Sequence, residues 1–389
     1  MGGYPSKVRP LLRHLLPAAI LAAGSILRAD SPALRITVRN ELPLARSSET
    51  VEIPASSLAA LGDLTRVHVF DHDSNREVLA QTLDLDADGK PESLIFQTDM
   101  KPQSVRSFDL RVGERVVYRK DDFRVYGRFV RERYDDFAWE NDRVAHRMYG
   151  AALETWQKEP LTSSSVDVWL KRTRRLIVND WYMVDDYHRD TGEGADFYSA
   201  GRSRGCGGSG IWRDGKLVVS KNFRDSRVLA NGPIRLVFEL RYPVWEGTGI
   251  RSETKRITLD AGQNFNRFES RYDVDGEIQY AAGIKKFAAT DVRIERAAGW
   301  IRAWGPVVGG TGKFGCAIVL DPAAIADVTE ADGNHLIVAR TVAKTPAIYY
   351  AGTGWDKSGD FADVADWDRY VEQLAQRVKS PLRVEVVTP

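Results

Sequence analysis

The chain has 389 residues, of which 43% are hydrophobic, and its 55 Lys and Arg nearly balance 54 Asp and Glu. That length buries a substantial core and suits one large domain with a smaller one. The balanced charge leaves no basic field to draw in nucleic acid, so a neutral polar ligand fits better. Ten Trp are more than a core of this size usually needs, and aromatic planes suit the C–H faces of sugar rings.

Lys7, Arg9 and Arg13 precede an apolar run over 15–27, with small residues at Ala22, Ala23, Gly24 and Ala29. This is the pattern of a cleavable export signal over 1–29, so the mature protein is expected in the periplasm or secreted. The run is short for a membrane span, and no later segment approaches about 18 uninterrupted apolar residues. No stable span is therefore expected after signal removal.

From 34 to 117, short alternating runs bounded by Ser, Asp, Gly and Pro read as strands of a small β-sandwich occupying 30–118. Within it Asp84, Asp86 and Asp88 alternate ahead of Gly89, like the first half of a calcium loop. The acidic ligand at the far end is missing, since the twelfth position counted from Asp84 is Ile95. An Asp/Gly-rich turn is favoured over bound calcium, with the three Asp as its candidate ligands and calcium as the only cofactor in view.

Over 119–389 strands dominate again, at 166–171, 175–178, 216–220, 234–242, 254–259, 266–272, 314–320 and 335–340. Many strands without intervening amphipathic helices argue for a large antiparallel sandwich and against a doubly wound sheet. One helix is expected near the end, where Val364, Trp367, Val371, Leu374, Ala375 and Val378 recur at three- and four-residue steps. Asp363, Asp366 and Asp368 near its start suit the helix dipole. Cys206 and Cys316 are the only cysteines, and their spacing does not force a disulfide.

Two clusters carry chemistry. The stretch 137–150, FAWENDRVAHRMYG, read as one strand, puts Asn141, Arg143, Arg147 and Tyr149 on one face and Glu140, Asp142 and His146 on the other. The stretch 185–198, DDYHRDTGEGADFY, reads as a long loop, where sites are commonly built on a β scaffold. His146 and His188 are the histidines set among carboxylates and phenols. There is no three-His set or HExxH helix, no GxSxG elbow, and no GxGxxG or Walker pattern.

Acid–base chemistry on a polyhydroxylated substrate remains. His146, His188 and Tyr198 are the candidate proton carriers, with Glu140 and Glu193 or Asp196 as a carboxylate pair for glycosidic hydrolysis. Arg143, Arg147, Lys171 and Arg235 are the candidate cations for a uronate carboxylate, and Asn141 and Asp196 candidate binders of hydroxyls. Trp139, Tyr187 and Trp212 are candidate stacking surfaces.

The segments WENDRVAHRMYG, DVWLKRT, YHRDTGEGADFYSAGRSRGCGG, ANGPIRLVFELRYP, ETKRITLDAGQN and YYAGTGWDKSGDF resemble domain-of-unknown-function family 4861, exported bacterial proteins associated with polysaccharide use. That family in turn resembles the galactose-mutarotase-like supersandwich group, which also houses aldose epimerases and polysaccharide lyases. The resemblance implies an all-β supersandwich and leaves the reaction open, because one fold hosts many chemistries. The expectation is an exported enzyme, a lyase or glycoside hydrolase acting on uronate-containing polysaccharides or their oligosaccharides. A non-catalytic glycan-binding protein and an aldose epimerase are the alternatives.

Overall fold

The computed structural model describes residues 33–158, 161, 164–184 and 186–387. The export signal expected over 1–29 lies outside them. Period-two runs become strands because alternate apolar residues let each strand bury one face. In Leu34–Arg39, for example, Leu34, Ile36 and Val38 are buried while Arg35, Thr37 and Arg39 are more exposed.

The small sandwich pairs a five-stranded sheet with a three-stranded one. The first has the spatial order Arg383–Val387, Leu34–Arg39, Val105–Val112, Val67–Asp71, Glu77–Val78, and the second Arg46–Pro54, Ser93–Met100, Ala80–Leu83. Ile36, Val51, Phe96, Phe108 and Leu110 meet between them. The expected division at 118 left residues 383–387 with the large domain. In the structure that strand pairs antiparallel with the first, from Arg35 opposite Val387 to Arg39 opposite Arg383. It covers what would otherwise be an open sheet edge.

The large body is the expected all-β sandwich. An eight-stranded antiparallel sheet runs in the order Asp225–Asn231, Arg235–Tyr242, Ser252–Asp260, Phe265–Asp273, Ala347–Trp355, Lys313–Val319, Trp300–Pro306, Asp291–Glu295. Two five-stranded sheets face it. One has the order Gly194–Ala195, Val166–Lys171, Ala145–Met148, Asp136–Asn141, Val125–Val130, and the other Lys216–Val218, Cys206–Arg213, Glu277–Lys285, Asn334–Val342, Ile325–Ala331. A bridge between Val166 and Gly205 links the two. Inward side chains of all three sheets, such as Trp139, Val168, Phe238, Ile257, Ile284 and Ile318, form one core. Cys206 and Cys316 lie in that core as free thiols.

Two α-helices occur among the described residues, α1 (Val178–Tyr182) and α2 (Val364–Lys379). The run 175–178, expected as a strand, instead leads into α1, because Glu140 accepts the N–H groups of Ile177 and Val178 at 2.8 and 2.7 Å and caps the turn. The expected C-terminal helix is α2, capped by Asp363, whose side chain accepts from Ala365 and Asp366 N. Its Trp367, Val371, Leu374 and Ala375 bury against Trp300, Trp304 and Val319 on the outer face of the eight-stranded sheet. The sheet makes room for the indole: a Cβ at Gly315 would sit 2.4 Å from Trp367 Nε1. No helix among the described residues is long and apolar enough to cross a membrane.

Trp367 is fully buried, so Trp367→Ala is expected to cost about 3–5 kcal/mol in urea unfolding, the usual range for emptying a large core site. Trp367→Phe is expected to cost distinctly less. Equal stability of Trp367→Ala and wild type would show that α2 is not an integral third layer.

Candidate functional site

The strands Asp136–Asn141 and Ala145–Met148 form a hairpin with Ala145 opposite Glu140, His146 opposite Trp139 and Arg147 opposite Ala138. Opposed residues in an antiparallel pair share a face. The turn over 142–144 therefore breaks the single-strand alternation expected across 137–150. Glu140 and Arg147, expected on opposite faces, share the outer one, and His146 points inward. The next strand, Val166–Lys171, sets Trp169 beside Ala145 and Asp167 beside Arg147. Asp136, Glu140, Arg147, Asp167, Trp169 and Lys171 thus form a polar and aromatic strip on a sheet whose other face is core.

A segment over 175–198 covers this strip. Trp181, Tyr182 and Tyr187 gather round Trp169, with ring centroids 5.6, 4.9 and 5.3 Å away. At one end the strip is sealed: Lys171 Nζ donates to Glu140 at 2.7 Å and to the carbonyls of Asn141 and Arg175 at 2.7 Å each. Burial pulls the Lys171 ammonium pKa down, and Glu140 opposes the pull. The pair is closed and fully used, so the expected substrate-binding role of Lys171 and catalytic role of Glu140 give way to a structural one.

At the other end the cover leaves a cavity of about 210 Å³. Its floor holds Asp136, Arg147, Asp167 and Asp196, and its walls include Tyr134, Trp156, Tyr187, His188 and Tyr198. Arg147 is the hub. Its Nε donates to Asp167 at 2.7 Å, Nη1 to the Tyr187 hydroxyl at 2.9 Å and Nη2 to Asp196 at 3.0 Å, while Asp136 lies 3.7 Å from Nη1. Tyr149 donates to Asp167 at 3.2 Å.

Three carboxyl groups therefore share one guanidinium out of bulk water. Burial raises the Asp136 pKa to about 7, with Arg147 opposing. Asp196 is pushed well above the usual carboxylate range by burial and then by Asp167, again against Arg147. Backbone N–H groups of Gly150 and Tyr198 lend these two carboxylates limited support. Each still has one oxygen, Oδ1, without a well-formed hydrogen bond, and so does the Tyr198 hydroxyl. Closely spaced acids titrate as a set, and this one retains a proton in the neutral range. His188 sits at the mouth, its side chain 58% exposed, with Nδ1 2.8 Å from the Asp196 carbonyl. A carbonyl accepts only from N–H, so Nε2 is left as the basic nitrogen.

The family model with the description "Domain of unknown function (DUF4861)" matches residues 38–384. The chain belongs to this family. It is similar to "Uncharacterized protein P7" of Formosa agariphila, with 32% identity over 398 residues covering 96% of this chain and 100% of the relative. It also superposes on a solved structure of a protein in the glycosyl hydrolase family 38 from Enterococcus faecalis, with a TM-score of 0.49 and 11% identity. That match covers 91% of this chain and 47% of the other, so the chain spans about half the length of that protein.

In this DUF4861 protein the cavity brings together five residues expected from sequence: Arg147, Tyr187, His188, Asp196 and Tyr198. His146 is not among them. It stacks on Trp139 in the core, with Nε2 3.0 Å from the Asn266 side-chain amide, and burial depresses its pKa to about 3. Trp139, expected to stack on sugar, is fully buried and donates to Asn266 at 2.7 Å. Asn141 closes the hairpin turn by accepting from Arg143 and Val144 N, and donates to the Asp260 and Gln263 carbonyls. Glu193 is held outside the cavity by Arg175, with both contacts at 3.0 Å. Arg143 lies near Asn264 and Asp360, Arg235 is locked to Asp260 and Glu52, and Trp212 packs beside Leu217 in a separate cluster.

The carboxylates of Asp84, Asp86, Asp88 and Glu92 converge, with one ligand atom from each within 4.8 Å of the others. They also accept from the loop's own backbone: Asp84 from Ala87 and Gly89, Asp86 from Asp88, Asp88 from Lys90, Glu92 from Leu85. These bonds describe a self-braced turn.

Asp136, Asp167, Arg133, Tyr134 and Trp156 were not singled out from sequence. The available signal was an isolated acid in an otherwise apolar strand, as in VDVWLK, where Asp167, Trp169 and Lys171 must share one face.

Because the folded protein keeps His146 neutral down to about pH 3 while a free imidazole takes up its proton near 6.5, only the unfolded chain gains that proton on acidification. His146 therefore removes stability as pH falls from 6.5 toward 3. The stability difference between wild type and His146→Gln, from urea midpoints, is expected to shift in favour of the variant on going from pH 7.5 to pH 5. A difference independent of pH would place a charged imidazole in the core.

Proposed function

We propose that this protein is a carbohydrate-active enzyme that cleaves a glycosidic bond by general acid–base chemistry in the cavity beside Arg147. One observation carries the reading: three buried carboxyl groups surround a single guanidinium, which favours keeping a proton near neutrality, in the floor of a cavity whose mouth opens at the exposed His188. A retained carboxyl proton is what protonation of a glycosidic oxygen requires, and pKa elevation by burial is a usual way of keeping one. Asp196, with its unpartnered Oδ1, is assigned as the acid, and His188, whose Nδ1 lies 3.6 Å from Asp196 Oδ2, as the neighbour that returns its proton from solvent. Asp167 and Tyr149 position Arg147, which stabilises the carboxylate left when the acid gives up its proton.

The volume supports a substrate of limited size. Sites for drug-sized ligands commonly measure about 300–1,000 Å³, and a cavity of about 210 Å³ suits a single ring at a chain end better than a run of rings. The stacked pair Tyr134 and Trp156, with ring centroids 4.6 Å apart, offers an aromatic wall for it. The kinship with galactose-mutarotase-like supersandwiches implied by the sequence motifs belongs to this proposal, as does export directed by the segment over 1–29.

The test is incubation with neutral and uronic oligosaccharides and mass spectrometry of the products. New reducing ends are expected. Asp196→Asn is expected to lower kcat by about 10²–10⁴-fold, the usual share of a positioned acid, with folding verified by circular dichroism. His146→Gln is expected to retain most of its turnover. The rate should decline as pH rises past about 7, because the donor set, which includes Asp136, loses its proton. Products absorbing in the near ultraviolet would replace hydrolysis with elimination, and full activity of Asp196→Asn would remove the acid from this cavity.

A further inference from the structure

The cavity's rim is built at a conformational cost. The 3₁₀ turn Arg131–Arg133 is followed by two non-Gly residues in left-handed conformation, Tyr134 with φ 54° and Asp135 with φ 65°. Such residues persist where the surroundings enforce them, and they concentrate at functional sites. Here the turn packs closely on Gly150, where an added Cβ would lie 1.7 Å from the Asp135 carbonyl oxygen. The turn delivers two side chains to the mouth. Tyr134 stacks on Trp156, and the Arg133 guanidinium lies over the Tyr187 ring, 4.4 Å from its centroid.

The two guanidiniums of the cavity are unlike. Arg147 is surrounded by Asp136, Asp167 and Asp196. Arg133 lies close enough to favour the charged form of Asp136, yet it makes no ion pair with a described residue and packs on the Tyr187 ring. A guanidinium that packs over an aromatic ring and makes no ion pair still has N–H donors to offer an oxyanion. The floor has the opposite character. The Oδ1 atoms of Asp136 and Asp196 can exchange hydrogen bonds with neutral hydroxyls, and the floor's cation, Arg147, is already taken up by three carboxyl groups, so a negative group on an entering ring finds its partner at the mouth.

We propose that Arg133 reads an anionic substituent, a carboxylate or a sulfate ester, on the sugar ring that enters this cavity. The inference rests on the carbohydrate reading above and names its substrate class. Neutral hydroxyls bind the acidic floor while the anion pairs with Arg133, so one ring is held in one orientation.

The test is equilibrium binding by calorimetry to the full-length protein, independent of turnover. The probes are methyl glucoside, methyl glucuronide and methyl glucoside 6-sulfate, with the corresponding galactosides. Wild type is expected to bind at least one anionic probe about 10- to 100-fold more tightly than its neutral counterpart, the range of a charge-assisted pair. The carboxylate and sulfate arms decide which oxyanion it prefers. Arg133→Gln is expected to erase the preference while leaving neutral affinity within about twofold, Arg133→Lys to restore part of it, and added salt to weaken only the anionic probes. Equal binding of neutral and anionic probes by wild type, or a preference that survives Arg133→Gln, overturns the assignment of Arg133 and leaves the carbohydrate reading standing. Failure of every probe to bind wild type overturns both.

Discussion

Arg147 is one positive charge shared by three carboxylates on the outer face of a five-stranded sheet, and the rest of the candidate site is arranged around that imbalance. A buried charge must be paired, because an isolated one costs far more than a fold can spare. Asp167, from the neighbouring strand, supplies a 2.7 Å partner, and Asp196 reaches in from the covering segment at 3.0 Å. Asp136 then arrives as a third acid, 3.7 Å from the same guanidinium, and among the described residues it makes no other ion pair. The excess negative charge favours holding a proton in the cluster.

The other end of the same strip is a control within the molecule. Glu140 and Lys171 pair one to one, and the remaining polar contacts of both are filled by backbone groups at the start of α1 and at the hairpin turn. Nothing is left over, and the end is closed. Between the two ends lies the aromatic cluster round Trp169, which holds the cover down so that the balanced end stays dry while the unbalanced one meets solvent. One sheet face thus carries a balanced ion pair and an unbalanced acidic cluster, separated by a few residues along each strand.

Much of this architecture was legible in the alternation of apolar residues. The strands of both sandwiches and the amphipathic helix α2 follow from periodicity, which local sequence records well. The site was legible only in composition. The two polar clusters do contribute Arg147, Tyr187, His188, Asp196 and Tyr198 to one cavity, but alternation counted straight through 137–150 missed the turn over 142–144 and put Glu140 on the face of His146 instead of that of Arg147. A turn closed by Asn141 and tied to carbonyls more than a hundred residues away depends on tertiary partners that no local pattern carries. The same reason explains α1: residues 175–178 look like a strand until a buried carboxylate from another strand caps them. Asp136 and Asp167 went unremarked because a single acid in an apolar strand usually marks a solvent-facing position, and the covering segment that buries them here comes from elsewhere in the chain.

The two faces of this sheet also load the fold in opposite directions as pH changes. On the inner face, His146 stays neutral while the unfolded chain protonates it below about 6.5, so its contribution to stability grows as pH rises from 3 to 6.5. On the outer face, Asp136 keeps its proton up to about 7 while an ordinary aspartate loses it near 3.8. The native state therefore binds more protons than the unfolded one across that interval, and stability from Asp136 declines as pH rises through it. Between roughly pH 4 and 6.5 the slopes oppose each other, so a buried base packed behind the sheet offsets part of the pH sensitivity that a protonated acid introduces in front of it.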